Sequence, residues 1–200
     1  MKPLAIDTPQ GTARAHLHPA DRAVGAVVLG HGAAGGVETR DLETVTKVAR
    51  DAGFSVALVE QPYRVAGRRS SPPADRLDEA WTAVIDRLRG GELSDLPLVV
   101  GGRSAGARVA CRTAADTGAV AVLCLAFPVH PPGKPEKTRM SELDAVSLPV
   151  LVVQGASDPF GMPSSSPTRT VVEVAGNHSL SKDLEGVAAA VRDWLPRLVR

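Results

Sequence analysis

Aromatic side chains are scarce in this sequence: two Trp, one Tyr and three Phe in 200 residues. A core must therefore be built mainly from Val, Leu and Ala. Lysine is scarce too, with eighteen Arg against five Lys; together with abundant Ala, Gly and Pro this is the codon signature of a GC-rich bacterial genome, not a statement about function. Neither charge sign dominates. The formal net charge is +1, which excludes the strong basic excess of a general nucleic-acid binder, so no nucleic-acid partner is expected. Long apolar runs are missing. Ala26 to Leu29 and Val150 to Val153 are strand-sized, far short of the ~20 residues a membrane helix needs. Met1 to Asp21 holds no apolar segment of signal-peptide type. No membrane partner is expected. The two cysteines, Cys111 and Cys124, fall in a predicted helix and a predicted strand and read as buried free thiols. These absences point to the cytoplasm.

At 200 residues the chain suits one domain, 1–200, long enough to bury a real core and too short for two ordinary domains. Short β-rich runs alternate with longer helical patterns, as when helices pack on a mostly parallel sheet. Leu4 to Ile6 and Thr12 to Leu17 read as a hairpin of two edge strands. Val24 to Leu29 is a near-continuous apolar run, the pattern of a strand buried on both faces. Leu42, Val45, Val48 and Ala49 share one helical face, Gly53 ends that helix, and Phe54 to Val59 is the next strand. Gln61 to Pro73 reads as a loop. Leu77, Trp81, Val84, Ile85 and Leu88 repeat at helical spacing before Gly90-Gly91 stops them. Strands follow at Leu96 to Gly101, Val120 to Ala126, Leu148 to Gln154 and Thr170 to Val174. Helices are expected from the turn after Gly101 to about Thr117 and from Leu184 to Val199. Pro128 to Val146 is the one segment placed to act as a partial lid. The expectation is an α/β fold with about eight strands, helices on both faces and no separate cap domain.

The strongest chemical signal is Gly102-Arg103-Ser104-Ala105-Gly106, between a buried strand and a helix. That is the G-x-S-x-G nucleophile elbow in the context it requires: a turn too tight for side chains at its flanks, with a serine held above the sheet. A serine hydroxyl is a weak nucleophile at neutral pH and needs a base, and the base needs an orienting carboxylate. Both appear in order. Asp158 follows one strand within Gly155-Ala156-Ser157-Asp158-Pro159, and His178 follows the next within Gly176-Asn177-His178-Ser179. Glu136 is the rival acid. Acyl transfer also needs donors for an oxyanion. The Ala105 amide is one; the turn His31-Gly32-Ala33-Ala34-Gly35-Gly36 supplies the other from Ala33 or Ala34, leaving His31 to hydrogen-bond the turn. That turn lacks the Lys and Ser/Thr of a P-loop and the G-x-G-x-x-G spacing. Arg64, Arg68, Arg69, Arg103, Lys134 and Lys137 fall on segments at the carboxyl edge of the sheet. They read either as a solvated basic rim or as a mouth that attracts anions. Arg64, Arg103 and His130 are the candidate substrate contacts.

Together these motifs resemble the α/β-hydrolase superfamily, including its dienelactone-hydrolase-like branch, over nearly the whole chain. A narrower resemblance lies in Gln61-Pro62-Tyr63-Arg64-Val65-Ala66-Gly67, Gly102-Arg103-Ser104, Pro128-Val129-His130-Pro131-Pro132-Gly133-Lys134-Pro135-Glu136-Lys137 and Gln154-Gly155-Ala156-Ser157-Asp158-Pro159-Phe160-Gly161. These are similar to the testis-expressed hydrolase-like proteins, a family that has bacterial members and includes a subunit of the NSL histone-acetyltransferase complex. The resemblance implies the fold and the Ser104, Asp158 and His178 positions, and no particular substrate. The expected activity is a serine hydrolase, a carboxylesterase on small-molecule esters, needing no metal or organic cofactor. The alternatives are an acyltransferase, thioesterase, lactonase or peptidase on the same site, or a non-catalytic interaction subunit.

Overall fold

The computed structural model describes residues 2–199. Eight strands form one sheet in the order β1-β2-β4-β3-β5-β6-β7-β8. The strands β1 (Leu4–Thr8) and β2 (Gly11–His18) form the antiparallel hairpin. Of the two, only β1 is an edge, because β2 pairs on its other side with β4 (Phe54–Glu60). From β4 onward every pairing is parallel, through β3 (Gly25–Gly30), β5 (Leu98–Arg103), β6 (Ala121–Leu125), β7 (Val150–Gly155) and β8 (Arg169–Val174). The central strands β3, β6 and β7 are buried at every residue, which explains their unbroken apolar sequence.

One face of the sheet is covered by α1 (Arg40–Asp51) and α6 (Leu184–Trp194), the other by α3 (Ala74–Arg89) and α4 (Ala105–Thr113). Each helix turns its apolar stripe inward: Leu42, Val45, Val48 and Ala49 from α1, and Leu77, Trp81, Val84, Ile85 and Leu88 from α3. The core is mostly Val, Leu and Ala, and Trp81, Phe54 and Phe127 fill its widest places. Both cysteines are buried free thiols, their Sγ atoms 3.5 Å apart between α4 and β6. No helix among the described residues is long and apolar enough to cross a membrane.

Several element bounds differ from expectation. The segment after β4 carries a one-turn helix, α2 (Pro62–Val65), where Pro62 presets the first turn. The helix after the elbow stops at Thr113, and the C-terminal helix tightens at Pro196 into a 3₁₀ turn (Leu195–Leu198). Among the described residues no segment forms a lid. Segment 128–146 lies docked on the flank of the sheet: Val129, Leu143 and Val146 are buried, and the Arg139 amide donates to the Val129 carbonyl at 2.7 Å. Its short helix α5 (Met140–Asp144) is clamped to α4 by Glu142, which accepts two bonds from Arg108 (2.6 and 2.8 Å) and one from Arg112 (3.3 Å). Arg112 in turn grips Asp78 of α3 with two bonds of 2.6 and 2.7 Å. Such forked guanidinium–carboxylate bonds hold direction as well as charge.

Candidate active site

The parallel register places Gly30 of β3 beside Gly102 of β5. The chain then turns through Ser104, whose backbone (φ +51°, ψ −108°) lies where L-residues are strained. The neighbourhood is too crowded for side chains. A Cβ on Gly102 would lie 2.5 Å from the Gly30 carbonyl oxygen, and one on Gly106 would meet the same atom at 2.5 Å. Three glycines thus interlock to close the turn between β5 and α4. The Ser104 amide is held by the Leu125 carbonyl at 2.9 Å. The hydroxyl is left partly exposed at the N-terminus of α4, where unpaired amides favour negative charge.

Asp158 and His178 leave the same edge of the sheet, from the loops after β7 and β8. Their loops are packed together: a Cβ on Gly155 would lie 2.7 Å from the Gly176 carbonyl oxygen. His178 Nδ1 donates to Asp158 Oδ2 at 2.8 Å, which leaves Nε2 as the acceptor for the Ser104 hydroxyl at 2.9 Å. The Asp158 carboxylate is inaccessible to solvent. Its Oδ1 accepts from the Phe160 amide (2.8 Å) and its Oδ2 from Gln154 Nε2 (2.9 Å). The same Gln154 nitrogen also faces the carbonyls of Phe127 (3.0 Å) and Gly161 (2.8 Å), so one buried amide ties the acid loop to the end of β6. The Phe160 ring lies on the His178 imidazole, centroids 4.1 Å apart. The chain leaves His178 through Leu180, which is fully buried and anchors the turn.

The turn after β3 leans over the elbow. A Cβ on Gly32 would sit 3.7 Å from the Ser104 Cβ. His31 braces it from below: Nε2 accepts from the Gln61 amide at 3.1 Å, so Nδ1 carries the proton and donates to the Gly32 carbonyl at 2.7 Å. Burial lowers the His31 pKa below the ordinary imidazole value, and its bond to Gly32 offsets only part of this. Tyr63 of α2 donates its hydroxyl to the Ala33 carbonyl at 2.9 Å. Ala33 and Ala34 are exposed at the top of the turn, and Ala105 is the first residue of α4.

The structure brings Ser104, Asp158 and His178 into one hydrogen-bonded line. It does not make Arg103 a free substrate contact. Arg103 Nε donates to Asp41 Oδ2 at 2.9 Å and Nη2 to the His178 carbonyl at 3.1 Å, so the guanidinium ties β5, α1 and the histidine loop together. Its partner Asp41 is 1% exposed. His130 is likewise engaged within its own loops: Nδ1 bonds the Pro131 carbonyl at 2.9 Å, and its amide donates to the Phe160 carbonyl at 3.1 Å. Arg64 is half-buried on α2 and reaches the Arg68 carbonyl at 3.5 Å. Arg68, Arg69, Lys134 and Lys137 are exposed, as is Glu136. Sequence reasoning missed Asp41, Gln154 and Phe160. Gln154 did carry a signal, a polar residue at the end of an otherwise apolar buried strand. Phe160 is one of three phenylalanines and sits in a loop beside an acid. Asp41 reads only as a first-turn helix acid.

Residues 23–183 match the family described as Alpha/beta hydrolase domain. Among solved structures, an α/β serine hydrolase without lid from Xanthomonas campestris gives a TM-score of 0.77 at 19% identity, covering 98% of this chain and 94% of the other. Est1E from Butyrivibrio proteoclasticus gives 0.81 at 16% identity, with 100% and 99% covered. A dienelactone hydrolase from Anabaena variabilis gives 0.77 at 17% identity, with 98% and 96% covered. At these identities the likeness is one of fold, extending over nearly the full length of each chain.

Proposed function

We propose that this chain, which belongs to the alpha/beta hydrolase domain family, is a serine carboxylesterase acting on small acyl esters. The observation that carries the reading is the unbroken line from Ser104 Oγ through the His178 ring to the buried Asp158 carboxylate, at 2.9 and 2.8 Å. Ser104 Oγ attacks the ester carbonyl while His178 Nε2 takes its proton. Asp158 holds the imidazole in the required tautomer and stabilises the imidazolium that forms. The oxyanion receives the Ala105 amide and one from Ala33 or Ala34. His178 then returns its proton to the departing alkoxide. A water, deprotonated by the same nitrogen, attacks the acyl-enzyme and frees the acid. The narrower kinship with testis-expressed hydrolase-like proteins rests on the Pro-Pro-Gly-Lys-Pro-Glu-Lys run. The composition favours a cytoplasmic, bacterial setting.

The test is mass spectrometry after treatment with a fluorophosphonate, alongside turnover of p-nitrophenyl esters. The expected adduct is on Ser104, and Ser104→Ala should lower kcat by roughly a millionfold, with His178→Ala comparable and Asp158→Asn somewhat milder. An adduct on another serine, or none on folded protein, refutes the reading.

A further inference from the structure

Beside the serine site, at the same edge of the sheet, lies a cleft of about 560 Å³. That is the size of a small-molecule site. It is walled by α2, by the loop that follows it, by the start of α3 and by the β1–β2 turn, and its chemistry is cationic and hydroxylic: Arg68, Arg76, Ser70, Ser71 and Thr12 line it with Tyr63. Arg76 did not stand out in the sequence. Ion pairs among the described residues engage Arg87, Arg103, Arg108, Arg112, Arg169 and Arg192, but neither Arg68 nor Arg76. Two carboxylates at the wall are bonded to its neutral side chains, not to either arginine. Asp7 accepts from the Thr12 hydroxyl at 3.1 Å and Glu79 from the Gln10 amide at 2.5 Å. A concave wall with two unpaired guanidinium groups suits an oxyanion, because the guanidinium fork matches the two oxygens of a carboxylate or phosphate.

The cleft also lies near the serine in the strand order. Its floor begins one residue after β4, and Ser104 follows β5 with only β3 between them. Two strand spacings put the cleft's near wall roughly 10 Å from the elbow. Tyr63 joins the two sites, since it lines the cleft and supports the Ala33 carbonyl above the elbow.

We propose that this cleft receives an anionic group, carboxylate or phosphate, carried at the far end of the ester that reacts at Ser104. The proposal rests on the hydrolase reading for its link to turnover, but the anion site itself can be tested without it. Substrates for the first arm are p-nitrophenyl monoesters of dicarboxylic acids of increasing chain length, each against its ω-methyl ester. A matched pair with a terminal phosphate separates the two anion sources. The carboxylate form is preferred once the chain spans roughly 10 Å, and Arg68→Gln/Arg76→Gln lowers that preference tenfold or more, mainly through KM. Lys134→Gln/Lys137→Gln, on the exposed loop outside the cleft, leaves the preference in place. The second arm is calorimetric titration of the native protein and both double variants with adipate and with inorganic phosphate. Binding by the native protein, lost only in the arginine variant, supports the cleft even where no ester turns over and the hydrolase reading fails. No preference for the anionic ester together with no anion binding overturns the proposal, as does equal loss in the two double variants.

Discussion

Replacing Arg103 by Met separates a structural role from a substrate-binding one. Methionine keeps much of the aliphatic stem and removes the guanidinium, which leaves the Asp41 carboxylate, 1% exposed, without its cation. Breaking a buried ion pair from one side costs about 3–5 kcal/mol, because the remaining charge stays desolvated. Asp41 keeps partial compensation: its Oδ1 accepts from the Leu42 amide at 3.0 Å, and it sits in the first turn of α1, where the helix end favours an anion. The His178 carbonyl loses its donor as well. These terms place the expected loss at about 3–4 kcal/mol, which for a chain of this size lowers Tm by about 2–4 °C per kcal/mol. Urea denaturation followed by the fluorescence of Trp81 and Trp194, both buried, measures it. Asp41→Asn added to Arg103→Met should recover about 1–2 kcal/mol, because the stranded charge is gone. A stable Arg103→Met protein whose only defect is a raised KM would refute this account and return Arg103 to the substrate.

Gly106→Ala drives a Cβ to 2.5 Å from the Gly30 carbonyl oxygen, so thermal melting should show a loss of about 1–3 kcal/mol or more, with the fluorophosphonate reaction at Ser104 slowed. His31 has a folded pKa lowered by burial. The unfolded chain therefore takes up a proton that the folded one refuses, and stability falls as pH drops below the ordinary imidazole value of about 6.5 until the folded pKa is reached. His31→Gln should flatten that limb of a stability–pH curve measured by urea titration. Cys124 is hydrogen-bonded to Cys111 and buried, both of which push its pKa well up. An aromatic disulfide reagent should label neither thiol in native protein at pH 8 and both in urea; rapid native labelling would place a thiol at the surface.

The central strands were readable because burial on both faces leaves a continuous apolar run, and the elbow because its glycines are forced by backbone crowding. The helices α2 and α5 were not, since four or five residues span little more than one turn and carry no period. Arg103 shows a different limit. In sequence it is one of several cations near a serine. Its partner Asp41 is 62 residues away, and only the packing of α1 against the end of β5 makes the pair. The same holds for segment 128–146: its proline-rich start suggests a mobile cover, while the arginines that pin it, Arg108 and Arg112, lie on α4. The backbone donors proposed at Ala33, Ala34 and Ala105 have no side-chain signature, so only the turn that carries Ala33 and Ala34 and the elbow that carries Ala105 were legible.

The proposed reacting line is stitched across the chain, Ser104 and His178 being 74 residues apart. The serine belongs to the middle of the sheet, whereas the histidine follows β8, an edge strand that pairs only with β7. During synthesis the base is thus the last of the three groups to arrive, and a partly made chain with a well-formed elbow has nothing to accept the serine proton. In the finished protein, fraying of that edge, once it also frees Leu180 and the Arg103 bond to the His178 carbonyl, should part His178 from Ser104 while the interior stays folded. Turnover should accordingly fail at a lower urea concentration than the Trp81 signal, which makes catalysis a gauge of how firmly β8 is held.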